Sequence, residues 1–151
     1  MTESEGRVAL VETAKLWLGT PYRNSGVIRG VAANCAMLMF GIARDAGVLG
    51  PDAQEPKWYS PQFHVHQREE RLVDRVMGYK LTEIAESDIR PGDIVAYLTG
   101  QSHGHLGMVI EWPTMIIQTT SAHGAQYAHG LQGALAHCNR RYFSLWAKEN
   151  A

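Results

Sequence analysis

The sequence is short of cysteine, of net charge and of long apolar runs, and each shortage closes off a class of protein. Cys35 and Cys138 are the only two cysteines among 151 residues. Two thiols make no disulfide framework, so a reduced pair is the default expectation. The formal net charge is −1, and Lys and Arg form no block. The electrostatic footprint of a nucleic-acid binder is therefore missing. No apolar stretch is long enough to span a bilayer. The first six residues are polar and acidic, unlike the basic and then apolar start of a secretory signal. The expectation is a soluble protein, cytoplasmic as synthesised, with neither nucleic acid nor membrane among its partners. Internal repeats and low-complexity segments are absent too. The length fits a single domain over residues 1–151, large enough to bury a genuine core.

What the sequence does have is one dense apolar segment. Ala36, Met37, Leu38, Met39, Phe40, Ile42 and Ala43 leave almost no polar side, which predicts a helix buried on most faces. Asn34 is a good N-cap for it, and Gly47 is a reasonable stop. Cys35 then falls on the first turn. A thiol there feels the positive end of the helix dipole, which favours thiolate. Most cysteines in such a helix simply pack, so Cys35 is a candidate nucleophile that needs partners.

Upstream, Val8, Leu10, Val11, Ala14, Trp17 and Leu18 recur at helical spacing and predict an amphipathic helix ending at Gly19. Pro21 pushes Thr20 out of the α region. Residues 50–61 carry Pro51, Pro56 and Pro61 and read as an irregular surface segment. Residues 67–77 read as a charged helix with a narrow apolar stripe. After Pro91-Gly92 the period changes. Residues 93–98, 106–112 and 115–120 are runs of strand length, residues 101–104 and 113–114 are turns, and residues 141–146 supply a closing strand. Helices first and strands afterwards predict an α+β fold, with helices on one side of an antiparallel sheet. His123, His129 and His137 lie in a Gly- and Ala-rich stretch that reads as exposed loop.

A cysteine nucleophile needs a base, and the base needs an orienting group. His103 and His105 precede the second strand, and sequence distance from Cys35 is no objection. On the adjacent strand Gln118 is the first side chain able to accept a hydrogen bond from an imidazole and fix its tautomer. The pairs His64/His66 and His103/His105 each put two imidazoles on one side of an extended strand. Zinc wants three or four ligands with satisfied partners, and acidic residues nearby are sparse. No metal and no cofactor are expected.

Four blocks together carry a resemblance. Trp17-Leu18-Gly19-Thr20-Pro21-Tyr22, Asn34-Cys35-Ala36-Met37-Leu38, Pro91-Gly92-Asp93-Ile94-Val95 and His105-Leu106-Gly107-Met108-Val109 resemble, in order, the NlpC/P60 cysteine peptidases, over about residues 8–120. The resemblance implies a papain-like core with the cysteine on a helix N-terminus and the histidine on the sheet. It implies cleavage of peptidoglycan stem peptides, at the bond between D-Glu and a diamino acid. By position Cys35 matches the nucleophile, His105 the base, and Tyr22 a tyrosine beside the nucleophile. With Gln118 as orienter these complete the catalytic set, and Tyr22, Asn34 and His103 are the candidate substrate contacts. The run from Trp58 to His66, with Glu69-Glu70-Arg71 and Glu111-Trp112-Pro113, looks like the phage-tail and prophage branch, which would add phage-tail proteins to the partners and a virion or tail location.

Two departures stand out. The family usually carries Asp-Cys-Ser-Gly where this chain has Asn34-Cys35-Ala36-Met37, which removes a negative charge and adds bulk beside the thiol. The family's third polar residue comes about twelve positions after the base, which here is Ile117, and in a strand a one-residue offset turns Gln118 to the other face unless something absorbs it. The altered context keeps open a second class of function, a papain-like module that binds wall fragments or a tail protein without cleaving. A third is an amidase or acyltransferase using the same dyad.

Overall fold

A computed structural model describes residues 1–23, 26–50, 52–53, 81–99 and 102–146. The charged helix expected over residues 67–77 and the run from Trp58 to His66 lie outside these residues.

Helix α1, Glu3–Trp17, begins several residues before the first apolar repeat because Thr2 and Glu5 form a capping box. The Thr2 hydroxyl accepts from the Glu5 N–H and the Glu5 carboxylate accepts from the Thr2 N–H, both at 3.2 Å, so two orphan donors are satisfied reciprocally. The helix ends at Trp17, two residues before the expected stop, and Leu18 is its C-cap. Gly6, Leu10, Ala14 and Trp17 form the buried face. Trp17 lies across Gly41, where any Cβ would collide with the indole ring, and its Nε1 donates to Asp45 Oδ2 at 3.1 Å. This fixes α1 on helix α2, Cys35–Asp45, in which every residue from Cys35 to Ala43 is buried. The expectation of a helix closed on nearly all sides is met.

Among the described residues six antiparallel strands follow: β1 Thr82–Ile84, β2 Ile94–Thr99, β3 Ser102–Glu111, β4 Met115–Thr120, β5 Gly124–Ala128 and β6 Arg140–Ser144. They are ordered β1-β6-β2-β3-β4-β5. Three readings are corrected here. β3 starts at Ser102, because β2 and β3 stay paired up to Thr99 and Ser102, so residues 102–104 are strand and not turn. Residues 124–128 form a strand against β4 although they lack the β-branched residues that mark one. The closing strand sits inside the sheet between β1 and β2, and it ends at Ser144.

The sheet separates two cores by strand alternation. Ile94, Ala96, Leu106, Met108 and Ile117 pack with both helices. Val95, Tyr97, Val109, Ile116 and Tyr142 face the other way, onto Leu135 of the segment between β5 and β6. Each fully buried aliphatic side chain contributes roughly 1.5–3 kcal/mol to this arrangement. Among the described residues both α-helices thus lie on the same face of the sheet. A polar latch ties α1 to the start of β2. Arg7 Nη1 lies 2.7 Å from Asp93 Oδ1, Asp93 Oδ2 accepts from the Arg90 N–H at 2.8 Å, and the guanidinium lies 4.6 Å over the Trp146 ring.

Candidate active site

Asn34 holds the start of α2. Its backbone is extended, at φ −89° and ψ −176°, and its Oδ1 accepts from the Met37 N–H at 2.9 Å. The residue is 1% exposed, so its side chain acts on the helix end, and Cys35 becomes the first helical residue. Packing of the apolar helix on β3 and β4 then carries this end to the start of β3. Cys35 Sγ lies 3.8 Å from the carbonyl oxygen of Gly104, the residue next to His105.

Tyr22 reaches the same place from the other side. Its backbone bridges in parallel to Ala33, two residues before Cys35. The Gly19–Thr20 segment is itself tied to β5, with Gly19 N–H donating to Ala125 O and Ala125 N–H donating to Thr20 O, both at 2.9 Å. The close approach requires Gly124, which has φ +68° and would put a Cβ 2.5 Å from Thr20 O. Burial pushes the Tyr22 phenol above its ordinary titration range, and the negative charge of the nearby Cys35 thiolate pushes it the same way.

His105 and Gln118 meet. His105 Nε2 is 2.7 Å from Gln118 Oε1. A carboxamide oxygen only accepts, so Nε2 carries the hydrogen and proton exchange falls to Nδ1. The one-residue offset is absorbed by a bulge. β3 and β4 pair Glu111 with Met115 near the turn, but Val109 with Ile116 and Met108 with Ile117 beyond it. Ile110 is the extra residue, and it turns the two strands' faces by one position relative to each other. Without it Ile117 would share the face of His105. With it Ile117 goes to the helix-side core and Gln118 comes round to the imidazole. Tyr97, opposite His105 on β2, supports the ring with a centroid distance of 5.9 Å. Its own hydroxyl donates to Gly130 O at 2.9 Å, and burial raises its pKa strongly.

Of the sequence candidates, Cys35, Tyr22, His105 and Gln118 therefore converge, and Asn34 sets the helix start. His103 belongs to β3, but its side chain lies outside the described positions. Among the described residues no group of three or more His, Cys, Asp or Glu side chains could hold a metal ion. Sequence reasoning missed the segment between β5 and β6. It walls a cavity of about 520 Å³ that opens from His105 and Gln118 and is lined further by Thr99, Thr120, His129 and Leu135. Its Gly- and Ala-rich composition carries no signal of strand or site.

No family model matches the chain, and no curated protein sequence matches it. Solved structures do. NlpC2 from Trichomonas vaginalis superposes with a TM-score of 0.62 at 17% identity, covering 98% of this chain and 49% of that one. An NlpC/P60 family protein from Bacillus cereus gives 0.61 at 18% identity, covering 89% of this chain and 39% of that one. The NlpC/P60 domain of the peptidoglycan hydrolase SagA gives 0.60 at 17% identity, covering 89% and 96%. The chain thus spans about half the length, or less, of the first two. The two α-helices and six-stranded antiparallel sheet of its described residues are the α+β fold of the NlpC/P60 domain.

Proposed function

We propose that this protein is a cysteine peptidase that hydrolyses peptidoglycan stem peptides between a γ-linked D-glutamyl residue and a diamino acid. The observation that carries the reading is the convergence of a helix-terminal thiol on a histidine whose tautomer is fixed: Cys35 Sγ beside Gly104 O, and His105 Nε2 on Gln118 Oε1. The substrate class is supported by the fold shared with the NlpC/P60 domain of a peptidoglycan hydrolase.

The chemistry follows from the positions. His105 Nδ1 takes the proton of the Cys35 thiol, and the helix dipole helps to hold the thiolate. Sγ attacks the peptide carbonyl carbon and forms a C–S bond, with the Cys35 backbone N–H at the helix start as oxyanion donor. The C–N bond breaks as Nδ1–H delivers its proton to the leaving amine. Water then attacks the thioester, gives its proton to Nδ1, and the C–S bond breaks to return the thiolate. Gln118 keeps the ring in one tautomer throughout. Tyr22 flanks the thiolate as a substrate contact.

The test is release of new amino termini from purified peptidoglycan by the parent protein and by Cys35→Ala and His105→Ala. The parent is expected to release them, and each variant to lose at least a thousandfold in rate, in line with removal of a nucleophile or its base. Equal release by all three proteins overturns the mechanism.

A further inference from the structure

The reaction above needs the His105 ring held in one pose, and the bond from Nε2 to Gln118 Oε1 fixes only one of its atoms. About that atom the ring can still pivot, and Nδ1, which exchanges the proton, then moves. A second contact stops the pivot. Tyr97 supplies it from β2, with ring centroids 5.9 Å apart and planes inclined at 43°. The phenol is held in turn, because its hydroxyl donates to Gly130 O at 2.9 Å. Burial raises its pKa strongly, so it keeps the proton that it donates.

Gln118 leads back to the same residue by another route. It lies on β4, which leaves the turn after β3 with its pairing set across the bulge at Ile110. In that turn Pro113 O accepts from the Gly130 N–H at 2.8 Å. The Trp112 ring lies against Gly130, where a Cβ would collide with it. Gly130 is buried, and its φ is not positive. Space therefore excludes a side chain there, and backbone conformation does not. One residue just past β5 thus carries a backbone bond toward each member of the pair.

We propose that Gly130 is a positioning residue for His105 and Gln118: its carbonyl holds the imidazole through Tyr97, and its N–H holds the turn from which β4 carries Gln118. For its effect on turnover this rests on the hydrolase reading above. An alanine at position 130 pushes the backbone off the Trp112 ring and loosens both bonds at once. A displacement of about 1 Å at a reacting group can cost about a hundredfold in rate, so a small movement here is enough to be seen.

The experiment uses the full chain, with Cys138 replaced by serine so that alkylation reports Cys35 alone. On a γ-D-glutamyl-diamino acid peptide, Gly130→Ala is expected to lower kcat at least about tenfold with KM within about threefold of the parent's. The pH at which Cys35 alkylation by iodoacetamide reaches half its plateau should rise toward that of His105→Ala. Trp112→Leu alone keeps both backbone bonds of Gly130 and is expected to stay within about threefold of the parent. Added to Gly130→Ala it makes room for the Cβ, and kcat should recover at least about fivefold. Tyr97→Phe loses only the bond to Gly130 O and is expected to lower kcat about threefold, a readout that stands even if Gly130→Ala fails to fold. A folded Gly130→Ala protein with the parent's kcat and alkylation profile refutes the positioning role and leaves the hydrolase standing. A loss that Trp112→Leu does not relieve refutes it as well. A parent that cleaves nothing, with the alkylation profile shifted in Gly130→Ala as in His105→Ala, refutes the hydrolase and leaves the positioning role.

Discussion

Two concentrations of polar side chains among the described residues are built on opposite plans. Around Arg7 and Asp93 the charges are many and mutually satisfied. Glu3, Arg7, Arg90 and Asp93 interlock within one network, and they line the larger cavity, of about 740 Å³, with Asp93 only 1% exposed. Around His105 and Gln118 the described residues offer a short hydrogen bond and a cavity lined by neutral groups. Size and charge alone would point to the first region as the site. Its hydrogen bonds, however, close on themselves and join α1 to the sheet, so it has little left to offer a ligand. The second region ends in groups that face a cavity, and the Cys35 thiol lies against the carbonyl of Gly104, the residue before His105. A network that satisfies itself holds the fold together. A pair that fixes one side of a ring leaves the other side for chemistry.

This contrast orders the expected effects of substitution. Asp93→Ala removes one partner of a buried ion pair and also the acceptor of the Arg90 N–H. It is expected to cost about 3 kcal/mol of stability, read from urea unfolding, with unchanged alkylation of Cys35 in the molecules that stay folded. A fall in alkylation would join the two regions into one. Gly124→Ala forces a residue at φ +68° against Thr20 O. A loss of about 2 kcal/mol is expected from strain and displacement. Because the displaced segment carries Tyr22, hydrolysis should fall as well, unlike in Asp93→Ala.

Gln118→Leu is the complementary case. Stability is expected to change by less than about 1 kcal/mol, while kcat/KM falls about thirtyfold, equivalent to about 2 kcal/mol, because the imidazole loses the partner that fixes its tautomer. Gln118→His, which restores a ring nitrogen as acceptor, should recover part of the loss.

Much of this was legible in the sequence. Asn34, Cys35 and the apolar run behind them fix a helix and a thiol at its start from composition alone. His105 stands at the mouth of an apolar strand, and Gln118 is the first hydrogen-bonding side chain on the next one. What could not be read is how their faces align, because the bulge at Ile110 is a feature of pairing and leaves no mark in composition. Strand β5 escaped notice for a related reason. Gly124 and Ala125 are small because Thr20 comes close to them, so the residues that make the contact possible are those that weaken the strand pattern. The central place of β6 depends on which edge the returning chain meets, and residues 140–144 look the same at an edge or inside.

The smallest effect concerns Tyr97, which supports His105 from β2. Its phenol is held un-ionised by burial, with a raised pKa in the folded state. As pH rises past about 10 the unfolded chain loses this proton first, so the native state binds more protons and stability falls with pH. Below that range the contribution is fully present. Tyr97→Phe removes the hydrogen bond to Gly130 O and is expected to cost about 1 kcal/mol at neutral pH. Its stability should decline less steeply than the parent's above pH 10, as read from unfolding midpoints across that range.

The claim at the centre is that an imidazole fixed by Gln118 activates the thiol of Cys35, and thiol reactivity tests it without any choice of substrate. The measurement is the rate of alkylation of Cys35 by iodoacetamide near neutral pH, in the parent and in His105→Ala, with Cys138 replaced by serine in both. The parent is expected to react at least tenfold faster than the variant. Equal rates in the two folded proteins would contradict the account.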